Sequence, residues 1–309
     1  MENKRQHYVP QVYLRNFSCE DKFINTFDKE TGKMYTAAID KVCCLDDLYT
    51  IWEIDSSGHH ITKSRNLSLE KDFFASNIEK KMEDTLKYFL DITRWWWQTK
   101  STGRVISSEC KQNIAEVVTS QILRMPDTIE ANSNMVQSIC KQISNIISST
   151  TASNANSLLN EVRLIQLENK INPALSQVNN TFFNGDFFAS FVNCLYNNYW
   201  TLTISPYAEF YTCDRPVNLC RHCDDVRPMF LGFGEEGAEV SYTINPCLSL
   251  SIWDKQHFPD KENEDCTFRL ATRREIAHIN VLRYFTAKRH VFSVGKDFVY
   301  ANKMYLGKK

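Results

Sequence analysis

The sequence has little glycine or proline and no excess of charge of either sign. Only nine glycines and eight prolines occur among 309 residues, while hydrophobic residues make up 43% and aromatic residues 12%. This composition excludes a disordered or low-complexity chain and predicts a compact globular protein. The formal net charge of −1 excludes a global basic field that would attract nucleic acid or acidic membrane, so a nucleic-acid site would have to be a local patch.

Long apolar runs are also absent. No segment approaches the roughly 20 apolar residues that a membrane span needs, and the opening Met-Glu-Asn-Lys-Arg-Gln is polar where a secretory signal would have an apolar core. We therefore expect a soluble protein of the cytoplasm, without a membrane partner. Eleven cysteines in a chain of this kind are typical of reduced thiols rather than of a disulfide framework.

The common signatures of catalytic sites are missing as well. The sequence contains no Gly-x-x-x-x-Gly-Lys phosphate loop, no Gly-x-Ser-x-Gly elbow and no His-Glu-x-x-His pair. The function must therefore be inferred from residues that are scattered along the chain.

Hydrophobic periodicity predicts strands first and helices next. Two β-hairpins are expected from Phe23 to Ala38 and from Tyr49 to Lys63, because period-two patterns flank turn residues there. A helical section then covers about residues 66–196, interrupted by a possible linker at 148–156, which is small, polar and without periodicity.

Strands dominate again from Tyr199 onwards. A capping box at Thr272–Glu275 opens one helix, and closing strands are expected at Arg289–Val294 and Phe298–Tyr300. The whole pattern predicts a single α+β domain over residues 1–309, with N-terminal β-hairpins, a central helical bundle and a C-terminal antiparallel sheet.

The opening segment from His7 to Phe17 combines a turn with a short helix that Pro10 is placed to begin. Gln11 and Arg15 lie four residues apart on one helix face and can present an amide and a planar guanidinium to phosphate or carboxylate. Histidine titrates near neutral pH, so His7 is a candidate general base or acid. The alternatives are a capping or core-edge histidine and an arginine that pairs with a neighbouring carboxylate. The apolar face of this helix consists of Tyr13, Leu14 and Phe17.

Two polar residues close the second predicted helix, which ends at Pro126. Gln121 lies at core spacing, so its amide is expected to face inward, where it costs free energy unless it is hydrogen-bonded. Arg124 follows one turn later. Both residues are candidates for ligand contact, and the alternative is a polar clasp between helices.

Two acidic residues complete the candidate site. Glu79 and Glu83 are four apart beside an apolar helical stripe, and Asp214 follows a predicted strand in Tyr-Thr-Cys-Asp-Arg-Pro. Together with His7, Glu79 and Asp214 would make an oxygen-rich site suited to magnesium or manganese. The alternatives are a solvated helix face for the glutamates and a local Asx turn for the aspartate.

A cysteine-rich stretch offers a different metal site. Cys220, His222 and Cys223, with Cys213 upstream, supply one Cys-x-x-Cys pair but no second pair at zinc-ligand spacing. A structural zinc is therefore an alternative to the oxygen-rich site, and the spacing favours cysteines that bind no metal.

Five segments resemble, in order, the motifs of the family catalogued as domain of unknown function 4238. The specific one is the opening His-Tyr-Val-Pro-Gln-Val-Tyr-Leu-Arg-Asn-Phe. In the helical section, Ile78-Glu79 resembles the family's acidic helix, and Gln121–Pro126 is similar to its Gln-x-x-Arg-x-Pro helix end. Later in the chain, Tyr211–Val217 resembles the family's Thr-Ser-Asp-Asn-Pro strand end. Ile244–Leu250 occupies the place of its Pro-Leu-Ser-Pro segment.

This chain departs from the family pattern in the last two segments, where Cys213 replaces a serine, Arg215 replaces an asparagine, and Asn-Pro-Cys occurs at Asn245–Cys247. The resemblance implies one pocket built from separated segments. The family is mostly microbial and carries no assigned reaction, and the resemblance suggests nucleic-acid or defence chemistry by analogy alone.

Two functional hypotheses follow. In the first, the chain is a cytoplasmic hydrolase of phosphodiesters, such as a nuclease of a microbial defence or toxin system, with nucleic acid as partner. His7 is the general base, Arg15 and Arg124 clamp phosphate, and Glu79 and Asp214 hold magnesium or manganese or orient His7. Further ligand contacts come from Gln11 and Gln121. In the second hypothesis, a non-catalytic module uses the same cleft to bind a ligand or partner, and a homo-oligomer or protein partner is possible in either case.

Overall fold

A computed structural model of the chain describes residues 4–54, 60–150, 154–222, 232 and 234–307. In that part of the chain, no helix combines the length and the apolar character needed to cross a bilayer. The fold class is α+β, as the sequence predicts.

The elements are named in chain order. The first part contains β1 (Arg5–His7), α1 (Gln11–Arg15), β2 (Phe23–Asp28), β3 (Met34–Ala38), β4 (Cys44–Asp46), β5 (Ile51–Ile54) and β6 (His60–Asn66). The middle contains a π-helix (Leu69–Glu79), α2 (Lys80–Thr99), α3 (Ser108–Leu123), α4 (Pro126–Ser148), α5 (Ala155–Ile171), α6 (Pro173–Asn180) and α7 (Gly185–Tyr196). The last part contains β7 (Tyr199–Ile204), β8 (Thr212–Cys213), β9 (Val217–Arg221), β10 (Ala238–Asn245), β11 (Leu248–Trp253), β12 (Thr267–Leu270), α8 (Arg273–Thr286), β13 (His290–Ser293) and α9 (Val299–Leu306).

The described residues form two compact units, each assembled from three separate stretches of chain. Unit 1 takes its residues from Met1–Tyr8, Leu45–Ile78 and Ile122–Ala189. Unit 2 takes its residues from Val9–Cys44, Glu79–Gln121 and Ser190–Lys309. The prediction of a single domain therefore stays a prediction.

Unit 1 is mainly helical. Helix α4 packs against α5 and α6, and β5 pairs with β6 as an antiparallel hairpin whose turn lies outside the described residues. The long π-helix (Leu69–Glu79) is an uncommon element in which backbone hydrogen bonds join residues five apart, instead of four apart as in an α-helix. The core of the unit consists of Tyr49, Leu69, Phe74, Ile129, Ala174 and Val178.

Unit 2 contains two larger sheets. The five-stranded sheet has the order β12-β7-β11-β10-β9, in which β12 runs parallel to β7 and the remaining pairs are antiparallel. The four-stranded sheet has the antiparallel order β3-β2-β13-β8. The three apolar residues of the opening segment are fully buried, as their spacing predicts: Tyr13, Leu14 and Phe17.

Most predicted elements are confirmed, including the hairpin of β2 and β3 and the Thr272–Glu275 capping box that begins α8. The predicted closing strand at Phe298–Tyr300 is wrong, because Val299–Leu306 forms helix α9. Phe298 and Ala301 are buried three residues apart, which is helical spacing, and a short apolar run does not distinguish the two structures by itself. In the predicted linker, α4 ends at Ser148 and α5 begins at Ala155, and residues 151–153 lie outside the described chain.

Candidate functional site

His7 and Arg124 lie together in unit 1. The Arg124 Nη2 donates a hydrogen bond of 2.7 Å to the backbone oxygen of His7. The guanidinium carbon lies 4.7 Å from the ring centroid of Phe74 and 5.7 Å from that of Tyr49, within cation–π distance. Arg124 is 1% exposed and His7 is 9% exposed, so both side chains take part in the packing of this unit.

The remaining predicted site residues belong to unit 2. In α1, Arg15 Nη2 donates to Gln11 Oε1 over 3.3 Å, so the two side chains are presented together, as their spacing predicts. Glu79 is half-buried at the residue that precedes α2, and Gln121 in α3 is 1% exposed, as its core spacing predicts. The catalytic and binding roles of these four residues stay predictions.

Asp214 is held by the backbone of the segment that leads into β13. Its Oδ1 accepts from the Lys288 amide over 2.8 Å, and its Oδ2 accepts from the amides of Arg289 and His290 over 2.8 and 2.9 Å. The Asp214 amide in turn donates to the His290 carbonyl over 3.0 Å. Since Asp214 is 3% exposed, it lies inside the unit and fixes the turn of chain before β13.

The metal site expected at Glu79 and Asp214 does not fit these surroundings. Both oxygens of Asp214 already accept backbone N–H groups, and no three metal-ligating side chains lie together anywhere in the described residues. Among the described residues, no zinc-binding cluster surrounds Cys213 or Cys220, while Cys223 lies outside the described residues.

The five-stranded sheet is unusual because one of its faces carries small polar residues across all of the strands. Residues paired across β9, β10, β11, β7 and β12 share a face, and one such row reads Asn218, Ser241, Ser251, Thr201 and Thr267. A second row on the same face contains Thr243, Ser249 and Thr203. We call these two rows, with Glu239 beside the first of them, the polar sheet face.

The polar sheet face is buried. Ser241, Thr201 and Ser249 are each 1% exposed, and Asn218 is 4% exposed. The Asn218 Nδ2 and the Ser249 Oγ have no hydrogen-bond partner among the described residues. Leaving such groups unpaired costs about 1–3 kcal/mol each, so this part of the buried face is not optimised for stability.

A buried arginine from α8 covers one end of this face. Arg283 is 0% exposed and donates to Thr243 Oγ1 over 2.9 Å, to Ser241 Oγ over 2.7 Å, and to the carbonyls of Ser241 and Pro216 over 2.9 and 3.0 Å. Burial lowers the pKa of Arg283, but a guanidinium keeps its proton at neutral pH. All four acceptors are neutral, so the positive charge has no hydrogen-bonded carboxylate among the described residues.

Tyr13 connects this region to the opening segment of the sequence. Its hydroxyl donates to the Thr243 carbonyl over 2.6 Å and lies 2.6 Å from Thr212 Oγ1. The ring stacks on Tyr242 with centroids 5.3 Å apart, and burial raises the pKa of the Tyr13 hydroxyl well above its usual value. At the buried Tyr13, the opening segment thus contacts Thr212 of the Tyr211–Val217 segment and Thr243, which directly precedes the Ile244–Leu250 segment.

The exposed end of the network is a histidine paired with a buried carboxylate. His222 Nε2 lies 2.8 Å from Glu239 Oε2, and Ser251 Oγ donates to Glu239 Oε1 over 3.0 Å. Glu239 is 3% exposed, whereas the His222 side chain is 33% exposed. The hydrogen bond that His222 donates to Glu239 raises the pKa of His222 above its usual value, although partial burial opposes the shift. With Nε2 donating to Glu239, Nδ1 is the nitrogen left for proton transfer.

This arrangement has the parts of an acid–base site for an anionic substrate. A carboxylate that fixes one ring nitrogen of a histidine orients the ring and stabilises its protonated form. Further along β10, the hydroxyl groups of Ser241 and Thr243 accept from the buried Arg283 guanidinium, which carries a fixed positive charge. When His222 is protonated, this face of the sheet carries the positive charges of His222 and Arg283 and the negative charge of Glu239.

Sequence reasoning did not pair His222 with Glu239, and it did not select Arg283. In the sequence, His222 is marked only by its neighbouring cysteines, and Glu239 lies 17 positions further along the chain. One signal was available in the alternation of apolar residues with serine and threonine along β10 and β11. That pattern is usually produced by a solvated face, so it does not by itself indicate a buried one.

Comparison with known proteins identifies a family and no reaction. A family model described as protein of unknown function (DUF4238) matches residues 5–297. No curated protein and no solved structure matches the chain.

Proposed function

The chain belongs to the family of proteins of unknown function (DUF4238), whose description names no reaction, and from the geometry of the polar sheet face we propose that it is a hydrolase acting on phosphodiesters. The observation that carries the proposal is the pairing of partly exposed His222 with buried Glu239 at 2.8 Å. The adjacent Arg283 charge is the reason for choosing an anionic substrate rather than a neutral one.

In the proposed reaction, a water molecule attacks phosphorus and His222 Nδ1 accepts the proton that this water loses. The phosphorus–oxygen bond to the leaving group breaks, and the leaving oxygen receives the proton from His222. Glu239 is a positioning residue that stabilises the imidazolium formed in between. The buried Arg283 charge contributes a positive potential that favours the negative charge growing on the phosphoryl oxygens, without contacting them.

This assignment differs from the one suggested by the sequence, in which His7 is the general base. We propose His222 because it combines a carboxylate partner with exposure, whereas His7 is 9% exposed and its carbonyl accepts from Arg124. The two assignments predict opposite results for single variants and are therefore easy to separate.

The wider setting is also part of the proposal. We place the chain in the cytoplasm, where the free thiols of its described cysteines would stay reduced, and in a microbial defence or toxin system because of its family resemblance. A protein partner or second copy is supported by an apolar stripe on α4 that is exposed at Met135, Ile139, Ile143 and Ile146.

Hydrolysis of bis(p-nitrophenyl) phosphate tests the proposed reaction without assuming a biological substrate. We expect His222→Ala to lower kcat/KM at least about 100-fold, the usual contribution of a general base. His278→Ala, which changes an exposed histidine of α8, is the matched control and should leave the rate unchanged. If His7→Ala abolishes turnover and His222→Ala does not, the site lies where the sequence placed it.

The pH profile of the same reaction tests the role of Glu239. The general base acts in its neutral form, so the rate should rise with pH through the pKa of His222, which its hydrogen bond to Glu239 raises. Glu239→Gln removes that effect and should move the rising limb to lower pH while lowering the maximal rate. If the rising limb of the pH profile does not shift in Glu239→Gln, His222 is not the titrating group.

Absence of turnover in every condition, together with saturable binding of a phosphodiester, would favour the second hypothesis of a non-catalytic binding module. Adding a chelator and then magnesium decides whether a metal takes part. Loss and recovery of activity in that experiment would show that a metal ion takes part and would contradict the metal-free reaction proposed for His222.

A further inference from the structure

One side of helix α4 in unit 1 is apolar and exposed to solvent. Its exposed side chains are Met135 (54% exposed), Ile139 (46%), Ile143 (40%) and Ile146 (63%). Their spacing of four, four and three residues places all of them on the same side of an α-helix. A stripe of this kind is typical of the side of a helix that packs against another element. We call these four residues the α4 stripe.

The packing of α4 within unit 1 uses a different side of the helix. Gln137 Nε2 donates to the Gln166 carbonyl of α5 over 2.8 Å. Asn169 Nδ2, also in α5, donates to the carbonyl and to the Oγ of Ser133, each over 3.0 Å. Gln137 and Ser133 lie about a third to a half of a turn around the helix from the α4 stripe. Helix α5 therefore anchors α4 and leaves the stripe uncovered.

No charged residue lies on the α4 stripe. Helix α4 is described in full, and its charged residues are Asp127, Glu130 and Lys141. At about 3.6 residues per turn, all three lie on the side of the helix opposite the stripe. A twofold interface brings the same patch of each copy together, so a charge near its axis would meet its like. The α4 stripe can therefore pack against itself without electrostatic repulsion.

The same charge pattern disfavours a lipid surface as the occupant of the stripe. Helices that lie on membranes carry several lysine or arginine residues beside their apolar side, whereas α4 has Lys141 alone, on the far side. Contact with a second copy needs no such residues, and twofold dimers are the commonest assemblies of soluble proteins.

The area of the α4 stripe is sufficient for a dimer. Residues of this size expose about 200 Å² when fully accessible, so four that are about half exposed offer roughly 400 Å² per copy, or roughly 800 Å² for two copies. Specific interfaces are about 60% apolar, so this area corresponds to about 1,300 Å² in total. That value lies within the range of about 1,200–2,000 Å² that specific interfaces bury.

We propose that the α4 stripe is the interface between two copies of this chain, in which the two α4 helices pack antiparallel about a twofold axis between Ile139 and Ile143. In this register, Ile139 of each copy faces Ile143 of the other. The antiparallel direction also aligns the two helix dipoles favourably. The inference rests on the proposed function only for its partner, which it narrows to a second copy, and it is independent of the proposed reaction.

Sedimentation velocity of the full chain tests the inference. Between about 1 and 100 μM the wild type should change from monomer to dimer, because interfaces at the small end of the specific range dissociate at about micromolar concentration. Ile139→Glu combined with Ile143→Glu should raise the dissociation constant at least about 100-fold, since like charges would meet at the axis. Lys141→Glu, which introduces the same side chain between these positions but on the opposite side of α4, is the matched control and should dimerise like the wild type. Circular dichroism checks that every variant keeps the helix content of the wild type.

A mixture of two single variants tests the antiparallel register. Ile139→Glu and Ile143→Lys should each dimerise more weakly than the wild type, because each would bury a charge without a partner. In an equimolar mixture, the carboxylate introduced at position 139 faces the ammonium introduced at position 143 of the other chain. The mixture should therefore dimerise at least about tenfold more tightly than either variant alone. Absence of this recovery would overturn the antiparallel arrangement.

Two results would overturn the interface itself. One is a wild type that stays monomeric up to about 100 μM, and the other is a dimer that persists unchanged in the double glutamate variant. If the monomer instead sediments with vesicles of phosphatidylcholine and phosphatidylserine, the α4 stripe is a lipid-binding surface. Hydrolysis of bis(p-nitrophenyl) phosphate is measured separately. A dimer without hydrolysis would refute the proposed reaction and keep the interface, whereas hydrolysis by a chain that stays monomeric would refute the interface alone.

Discussion

Asp214 shows that a residue in a recurring motif can serve the backbone rather than a ligand. Its carboxylate accepts from three consecutive amides, those of residues 288, 289 and 290, and it is 3% exposed. The sequence made it a candidate metal-binding residue, since it follows a predicted strand. The structure instead makes it the residue that fixes the entry of β13 into the four-stranded sheet.

We therefore expect Asp214→Ala to destabilise the chain by about 3 kcal/mol, because three buried amides would lose their shared acceptor. Thermal unfolding followed by circular dichroism measures this. Asp214→Asn keeps one acceptor oxygen and should lower the free energy of unfolding by less. Asp84→Ala, on the exposed face of α2, should leave it almost unchanged. A melting temperature for Asp214→Ala equal to that of the wild type would show that the carboxylate is not needed for folding.

His222 makes stability depend on pH in a direction that can be worked out. Its hydrogen bond to Glu239 raises the pKa of His222 in the folded chain above the usual value of 6.5. The interaction is therefore fully stabilising below about pH 6.5 and is lost as the pH rises through the raised pKa. We expect the melting-temperature difference between wild type and His222→Gln to be largest near pH 6 and to shrink above that pKa. A difference that grows with pH would contradict this pairing.

At the scale of elements, α8 is held to the chain before β8 by one buried side chain. Asn280 is 0% exposed, its Oδ1 accepts from the Tyr211 amide over 2.8 Å, and its Nδ2 donates to the Glu209 carbonyl over 2.8 Å. A single carboxamide thus pairs with the backbone as a neighbouring strand would. The same helix brings Arg283 to the polar sheet face, so its placement matters for the candidate site.

Asn280→Ala should lower the free energy of unfolding by about 2–4 kcal/mol, since a buried amide and a buried carbonyl would both lose their hydrogen-bond partner. His278→Ala, two residues away on the exposed side of α8, should change stability by less than about 0.5 kcal/mol. Urea titration monitored by circular dichroism gives both values. Similar losses for the two variants would mean that α8 is not anchored through Asn280.

At the scale of the whole molecule, each unit depends on stretches that are far apart in sequence. The core of unit 1 combines Tyr49, Leu69 and Phe74 from one stretch with Ile129, Ala174 and Val178 from another. Residues 122–189 contain α4, α5 and α6 but lack the first three of these side chains. This arrangement gives the helices of unit 1 no complete core of their own.

We expect an isolated fragment of residues 122–189 to contain helix but to melt without a cooperative transition, because its exposed apolar faces have lost their partners. Far-ultraviolet circular dichroism and binding of a hydrophobic dye measure this against the full chain. A sharp transition with no dye binding would show that the three helices form an independent domain.

The sequence by itself determined the elements and much of their burial. The predicted helical section at about residues 66–196 contains α2 to α7, strands β7 to β12 follow from Tyr199 as predicted, and the opening segment buries Tyr13, Leu14 and Phe17 as predicted. These features are local, since they follow from the spacing of apolar residues over one or two turns or a few strand positions. The pairing of Gln11 with Arg15 was predictable for the same reason.

Only the tertiary structure decided which polar residues are buried and which of them meet. Alternating serine and threonine in β10 and β11 are compatible with either a solvated or a buried face, and the covering element, α8, is distant in sequence. His222 and Glu239 are likewise joined by strand register, which places Cys220 opposite Glu239 and His222 two residues beyond. Local periodicity carries no information about such pairings, because they depend on which strands become neighbours and on what packs over them.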